Sequence, residues 1–361
     1  MGPESAGTKK SSKTPAVELD VAGRSVRISS PDRVIFPERG LTKLDVAQYY
    51  VDVGEGILGA LRDRPTTLER WPKGVFEGAK MATRTDSEGD AFFQKRVPRG
   101  APDYVETAHI TFPSGRTADE IAPTELAVVV WAAQMGTLTF HPWPVVRTDV
   151  DKPDQIRIDL DPQPGTDYDD AARVAPEVQA LLTELGMEGY PKTSGGRGLH
   201  IFVPIQPKWE FVDARRAAIA FGREIERRIP DLVTMNWWKE ERGQKIFIDY
   251  NQMARDRTIA SAYSIRPNKR ATVSAPLRWE EIPDVAPNDF DVLTMPARLA
   301  EVGDLFAGAN NQQYGIETLL EMAERDERDH GHGDLPYPPD YPKMPGEPKR
   351  VQPSKDRDRK K

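Results

Sequence analysis

The sequence has no cysteine, which excludes disulfides, thiolate zinc and cysteine nucleophiles together, so any metal must rest on Asp, Glu, His or backbone oxygen. It also lacks any apolar run approaching 18 residues, and Met1-Gly2-Pro3-Glu4-Ser5 does not follow the basic-then-apolar plan of a signal peptide. A soluble, cytoplasmic chain with no membrane partner is expected. Positive charge is not in excess either: the formal net charge is −7, whereas phosphate-binding proteins usually carry a basic footprint. That argues only mildly against a nucleic-acid partner, because acid is gathered locally. Glu321, Glu324, Asp326, Glu327 and Asp329 stand near Arg325 and Arg328, which leaves room for a basic cleft elsewhere. At 361 residues the chain accommodates one large domain or two modest ones.

Residues 1–16, rich in Gly, Ser, Lys and Pro, read as a disordered arm. Val17 to Ser29 alternates as two short strands meeting at Gly23. Thr42 caps a helix with Leu44, Ala47, Tyr50 and Val51 at helical spacing. Arg33 and Lys43 flank that opening, where two cations and free backbone N–H groups can hold a phosphate; two solvated charges are the alternative. The loop between Trp71 and Phe92 is long, which more often accompanies function than accident. Phe92 and Phe93 cannot both face one core on a strand. One exposed ring beside Lys95, Arg96 and Arg99 suits base stacking, and a buried cluster is the alternative.

A hairpin is expected over 107–122, a helix over 124–134, and then a strand with Leu138 and Phe140 on one face and Thr137, Thr139 and His141 on the other. Helices follow over 169–185, with a kink expected at Pro176, and over 213–229, where Arg215, Arg216, Arg223, Arg227 and Arg228 read mostly as solvated surface. Beyond about 311 come a charged helix and a Pro-rich tail from Leu335. The last thirteen residues carry seven basic and two acidic side chains and are expected to be disordered, solubilising or touching DNA.

Three stretches carry chemistry. In Ile156-Arg157-Ile158-Asp159-Leu160-Asp161 the period of two puts the apolar residues on one strand face and Asp159 and Asp161 on the other, about 7 Å apart. Two such carboxylates can grip a divalent cation or straddle a pair of them, and magnesium or manganese suits the oxygen donors; a polar strand end is the alternative. Ser194-Gly195-Gly196-Arg197-Gly198-Leu199-His200 offers bare backbone N–H groups, a hydroxyl and a guanidinium to an anionic phosphate chain, without P-loop spacing; a plain glycine-rich hairpin is its alternative. Lys245-Ile246-Phe247-Ile248-Asp249 is a second strand ending in aspartate, able to complete a metal site if it neighbours the first. Arg257 and Arg266 follow as candidates to clamp a triphosphate.

Taken in order, Asp159-Leu160-Asp161, Ser194 to His200, and Asp249 to Gln252 with Thr258 and Ser264 to Arg266 resemble the polymerase domain of bacterial DNA ligase D. That domain belongs to the archaeo-eukaryotic primase superfamily, and the likeness extends to stand-alone actinobacterial primase-polymerases. It runs from about Ser30 to Leu305. It implies an α+β primase-polymerase fold of mostly antiparallel sheets flanked by helices, with an RRM-like catalytic module. The catalytic domain would span 17–310, an N-terminal part over 17–150 and the RRM-like part over 151–310, followed over 311–361 by a charged helix and a Pro-rich, basic disordered tail.

By the same resemblance, Asp159, Asp161 and Asp249 are the catalytic metal ligands for two Mn2+ or Mg2+ ions. Ser194, Gly195, Arg197, His200, Gln252, Arg266 and His141 line the NTP or dNTP. Arg33 and Lys43 match a basic pair that receives a downstream 5′-phosphate. Phe92, Phe93 and the loop residue Arg242 meet DNA. The implied activity is template-dependent nucleotidyl transfer that extends primers or fills short gaps, with ribonucleotide incorporation, on gapped or primer-template DNA. A monomer associated with the nucleoid is expected, as are a separate DNA ligase and repair factors as partners, because no ligase or nuclease block follows. Departures are Glu69, where related sequences have lysine, Met253, where they have asparagine, Arg197 in place of a usual lysine, and the long 72–91 insertion. A metal-dependent nuclease and a non-catalytic DNA-end-binding module are the rival readings.

Overall fold

The computed structural model describes residues 15–350 apart from Arg84, Thr85 and Asp340. The expected arm therefore lies outside the described residues up to position 14, as does the basic end beyond 350; Ala16 already belongs to a strand. Ala16–Val21 (β1) and Arg24–Ser29 (β2) form the hairpin at Gly23. Val34–Phe36 (β3) pairs with Leu41–Thr42 (β4) and leads into Lys43–Asp52 (α1). A capping box starts that helix: the Thr42 hydroxyl accepts from the Asp45 amide (3.3 Å), and the Asp45 carboxylate accepts from the Thr42 amide (2.7 Å). Gly54–Leu61 (α2) follows.

Two five-stranded sheets form the body. The first contains Thr66–Arg70 (β5), Phe92–Gln94 (β6), Thr107–Thr111 (β7) and Thr117–Ile121 (β8) and, after Leu126–Gln134 (α3), Thr137–Pro142 (β9). Here β5 pairs antiparallel with β6, β8 and β9. The second contains Gln155–Pro162 (β10), Tyr168–Glu184 (α4), Tyr190–Thr193 (β11), Leu199–Pro204 (β12), Phe211–Arg228 (α5), Val233–Thr234 (β13) and Ile246–Ile248 (β14). Its order, β11-β12-β10-β14-β13, threads a β-α-β-β-α-β unit so that the first and third long strands lie in the centre, the arrangement of an RRM-like module. Pairing is antiparallel except between β13 and β14. Helix α4 runs through Pro176 from a capping box at Asp167. Met295–Val302 (α6) and Glu317–His330 (α7) complete the helices, α7 lying along α5. Among the described residues no helix is long and apolar enough to cross a membrane.

The alternation of β10 decides where chemistry sits. Ile156, Ile158 and Leu160 enter the main core with Val174, Val178, Leu181, Ala217, Phe221 and Ile225 of α4 and α5. The opposite face, with Gln155, Arg157, Asp159 and Asp161, looks toward the first sheet. Arg157, 2% exposed, spans the gap, donating to the carbonyls of Pro142 (2.6 Å) and Trp143 (2.9 Å) at the end of β9. The cleft between the sheets is thereby lined with polar groups.

Two expectations need correction. Arg215 is not solvated surface but 1% exposed, because the chain beyond α7 covers it and supplies the acceptors a buried guanidinium requires. The Pro-rich stretch from Leu335 is not a loose tail over its described part: Tyr337 and Pro338 are buried, and Glu347 is held by the Tyr337 and Met344 amides.

Candidate active site

Strand register assembles the site. Asp159 of β10 lies opposite His200 of β12, and His200 lies opposite Lys192 of β11. On the other side the Asp249 amide donates to the Asp159 carbonyl (3.1 Å), which extends the ladder past β14. Lys192, His200, Asp159 and Asp249 thus form one row across four neighbouring strands, with Asp161 two residues further along β10. Lys192 Nζ is 2.8 Å from His200 Nδ1 and donates to Ser274 Oγ (2.5 Å). The other ring nitrogen, Nε2, lies 3.5 Å from Asp159 Oδ1. Gln252 Nε2 reaches Asp159 (3.1 Å) and Asp249 (3.5 Å), and Gln163 Nε2 reaches Asp161 (2.9 Å).

The Ser194–Gly198 turn closes one end of the row. Ser194 Oγ accepts from the Gly196 (3.1 Å) and Gly198 (3.0 Å) amides. Gly195 has φ +71°, a conformation that favours glycine, and its α-carbon faces the Arg266 side chain. Arg197 is exposed at the rim with one bond to the Pro162 carbonyl (3.3 Å). Gly198 abuts the Leu160 carbonyl, leaving no room for a side chain.

The first sheet forms the facing wall. His141 Nε2 lies 2.8 Å from Glu69 Oε2, and Trp71 Nε1 donates to Glu69 Oε1 (3.1 Å). Phe93, 50% exposed, stands edge-on to His141 with ring centroids 5.4 Å apart. Of the two adjacent phenylalanines it is therefore Phe93 that presents a free face, while Phe92 packs beneath Arg70.

Electrostatics bind the walls together. Burial first, then the charges of Asp249 and Asp161, push the Asp159 carboxyl well above the ordinary carboxylate range. Burial also raises Asp249, against the Asn251 amide, Arg242 and Arg257. Burial, Arg266 and Arg157 hold the Lys192 ammonium well below its usual range despite Asp159. Burial, Lys192 and Arg266 do the same to His200. For Glu69, burial opposes ionisation, but the His141 bond and charge, Arg266 and Trp71 outweigh it and keep the carboxylate low.

The donors fit a hard divalent cation in kind: carboxylate oxygens on adjoining strand ends, mutually destabilised when ionised and without sulfur. No three His, Asp or Glu side chains among the described residues converge into a ready-made cage; the amides of Gln252 and Gln163 engage the carboxylates instead.

Outside the cleft, Lys43 is buried and donates to the Ser29 carbonyl (2.7 Å). Burial, Arg33 and Arg70 lower it to about 8. Arg33 is exposed and donates to the Pro72 carbonyl (3.0 Å). Arg242, expected on a DNA-facing loop, is instead internal. It donates to the Asn236 and Trp237 carbonyls and to Gln163 Oε1, 3.0, 2.8 and 3.0 Å away, and stacks over Phe247 at 3.5 Å.

A family described as LigD, primase-polymerase domain, matches residues 42–306. The chain belongs to this family. This LigD-type primase-polymerase domain is therefore an enzyme of the nucleotidyltransferase class, and the nuclease and non-catalytic readings fall away. It is 33% identical over 323 residues to the multifunctional non-homologous end joining protein LigD of Mycolicibacterium smegmatis, a match covering 88% of this chain and 40% of that protein. With the bifunctional non-homologous end joining protein LigD of Bacillus subtilis it shares 30% over 305 residues, 83% of this chain and 47% of that one. The chain thus spans less than half the length of these curated relatives. The polymerase domain from Mycobacterium tuberculosis ligase D, solved in complex with DNA, superposes with a TM-score of 0.71 at 29% identity, over 80% of this chain and 99% of that one.

Two members of the LigD-type cleft escaped the sequence reading as site residues. Lys192 looks like an edge lysine in a short strand, and only the register with His200 places it in the row. Glu69 reads from the sequence as a departure from related chains, and its pairing with His141 depends on β5 lying beside β9.

Proposed function

We propose that this domain adds nucleotides to a primer 3′-hydroxyl under template direction, filling short gaps or extending ends during end-joining repair, with ribonucleotides accepted. The observation that carries the reading is the row Lys192–His200–Asp159–Asp249 on adjoining strands, ending beside a serine-glycine turn. Asp159, Asp161 and Asp249 would hold two magnesium or manganese ions, which supply activation of the 3′-hydroxyl and neutralisation of the triphosphate. His200 orients Asp159, and Lys192 in turn orients His200. Ser194, Gly195, Arg197 and Arg266 receive its oxygens through amides, hydroxyl and guanidinium. Gln252 aligns the two buried carboxylates. His141, fixed by Glu69, and Phe93 form the opposite side of the nucleotide pocket, Phe93 offering its face to a base.

Arg33 and Lys43 receive a downstream 5′-phosphate on gapped DNA, and a separate ligase seals the product. Arg242 acts on DNA only indirectly, by bracing the segment before Asp249. The domain works as a monomer in the nucleoid. The double variant Asp159→Ala/Asp161→Ala should lose primer extension on gapped and overhanging templates while keeping its circular dichroism. Extension at the wild-type rate would overturn the assignment.

A further inference from the structure

Residues 334–350 lie beyond the family match at 42–306, and the described residues among them form neither helix nor strand, yet they are tied into a knot. The Glu347 carboxylate accepts from the amides of Tyr337 (2.9 Å) and Met344 (3.1 Å) and pairs with Arg350. Arg350 also donates to the carbonyls of Pro338 and Pro342, both at 2.8 Å. The Tyr337 and Tyr341 rings stack with centroids 4.9 Å apart. Several prolines limit what this segment loses on ordering.

The knot docks behind the active site. Arg215 of α5 donates to Asp334 (2.5 Å) and to the carbonyls of Leu335 (2.8 Å) and Pro336 (3.3 Å). Its Nε donates to Asn251 Oδ1 (3.0 Å). The guanidinium lies 3.6 Å from the centroid of the Tyr337 ring and 5.1 Å from that of Tyr250. The Pro336 carbonyl accepts in addition from Asn251 Nδ2 (3.0 Å) and the Tyr250 hydroxyl (3.3 Å), and the Tyr341 hydroxyl lies against the Arg255 backbone. One terminal segment therefore holds Tyr250, Asn251 and Arg255. Tyr250 and Asn251 belong to the turn that follows Asp249 and carries Gln252, and Arg255 lies just past it.

That turn needs an outside hold. Tyr250–Met253 is a four-residue 3-10 helix, a form with poor internal hydrogen-bond geometry. The Asn251 amide donates to the Asp249 carboxylate (2.9 Å), and Gln252 reaches Asp159. A continuous path of bonds thus runs from Asp334 and Pro336 through Arg215 and Asn251 to two carboxylates of the site. Without the segment, the Arg215 guanidinium would lose Asp334, two carbonyls and the Tyr337 ring and be opened to water, keeping Asn251 as its remaining side-chain acceptor among these contacts. A guanidinium that water can solvate is no longer held in one position against Asn251.

We propose that Asp334–Tyr337, acting through Arg215 and Asn251, is a positioning clamp that sets the Asp249–Gln252 turn for nucleotide addition. The proposal rests on the polymerase reading above. The test uses the full-length chain carrying Asp334→Ala/Tyr337→Ala, with Asp334→Asn as the conservative variant that keeps an acceptor for Arg215. In primer extension, kcat of the double variant should fall about tenfold, as displacement of a reacting group predicts, while nucleotide KM and gapped-DNA affinity stay within about twofold. Asp334→Asn should behave as wild type. By hydrogen exchange, the peptide covering 247–255 should exchange faster in the double variant and the peptide covering 155–162 should not change. Unchanged exchange over 247–255, an unchanged kcat, or loosening that extends to 155–162 would overturn the clamp. A wild-type chain that fails to extend primers, with the exchange response intact, would remove the polymerase reading and not the clamp contacts.

Discussion

Gly198→Ala tests whether the β10–β12 seam sets the position of the aspartates. A methyl group at residue 198 would lie 2.6 Å from the Leu160 carbonyl oxygen and 3.4 Å from Pro162 Cδ. Carbon and oxygen settle near about 3.3 Å, so about 0.7 Å must be found by moving backbone. Leu160 is paired on both sides, with Leu199 and with Ile248, and carries Asp159 and Asp161 as its neighbours. The displacement exceeds the roughly 0.5 Å within which a catalytic constellation works. The expected cost is about 1–3 kcal/mol of stability and a fall in kcat of about 10- to 100-fold, with a smaller change in nucleotide KM. Gly196→Ala is the matched control, since its methyl would meet only Ser194 Oγ at 3.4 Å. Single-turnover extension and thermal melting of both variants decide the matter. Wild-type extension by Gly198→Ala, or equal damage from Gly196→Ala, would refute the reasoning.

Further predictions concern pH and the rings. Burial raises the Glu120 carboxyl from 4.5 to about 7, so across that window the native chain keeps a proton the unfolded chain has released, and stability falls as pH rises. Glu120→Gln, which keeps an acceptor for Thr67 and Trp143, should be about 3 kcal/mol more stable than wild type above pH 7 and show no gain below 4.5, as read by urea melts at pH 4.5 and 8. Lys43, lowered to about 8 by burial, Arg33 and Arg70, loses its charge as pH passes that value; preference for 5′-phosphorylated over 5′-hydroxyl ends should fade between pH 7 and 9, and Lys43→Met should flatten the dependence. Phe93→Ala, at a ring 50% exposed, should change stability by less than about 0.5 kcal/mol yet weaken primer extension by about 1–3 kcal/mol. Phe92→Ala should show in the melting temperature instead, through lost packing on Arg70.

Much of this site is readable because a strand has a period of two. Alternation alone puts Asp159 and Asp161 on one face, and an apolar strand ending in aspartate marks Asp249. Which strands adjoin is a matter of tertiary register, so the row through Lys192 and His200 could not be read from spacing. Arg215 and Arg242 were misplaced for a common reason. A guanidinium on a helix or loop looks like surface until its acceptors are known, and here they are backbone carbonyls from 335 and 336 and from 236 and 237. The Pro-rich tail misled because proline content hides the apolar pattern that announces packing, and its order depends on distant groups such as Arg215.

Arg157 has a mechanical consequence. It sits on one sheet and gives its hydrogen bonds to Pro142 and Trp143 at the end of the other. Parting the sheets would break both of these charge-assisted bonds, at about 1.5–3 kcal/mol each. The two sheets therefore act as a fixed jaw rather than a hinge, and substrate must be admitted by small rearrangements at the rim while the gap stays at one gauge.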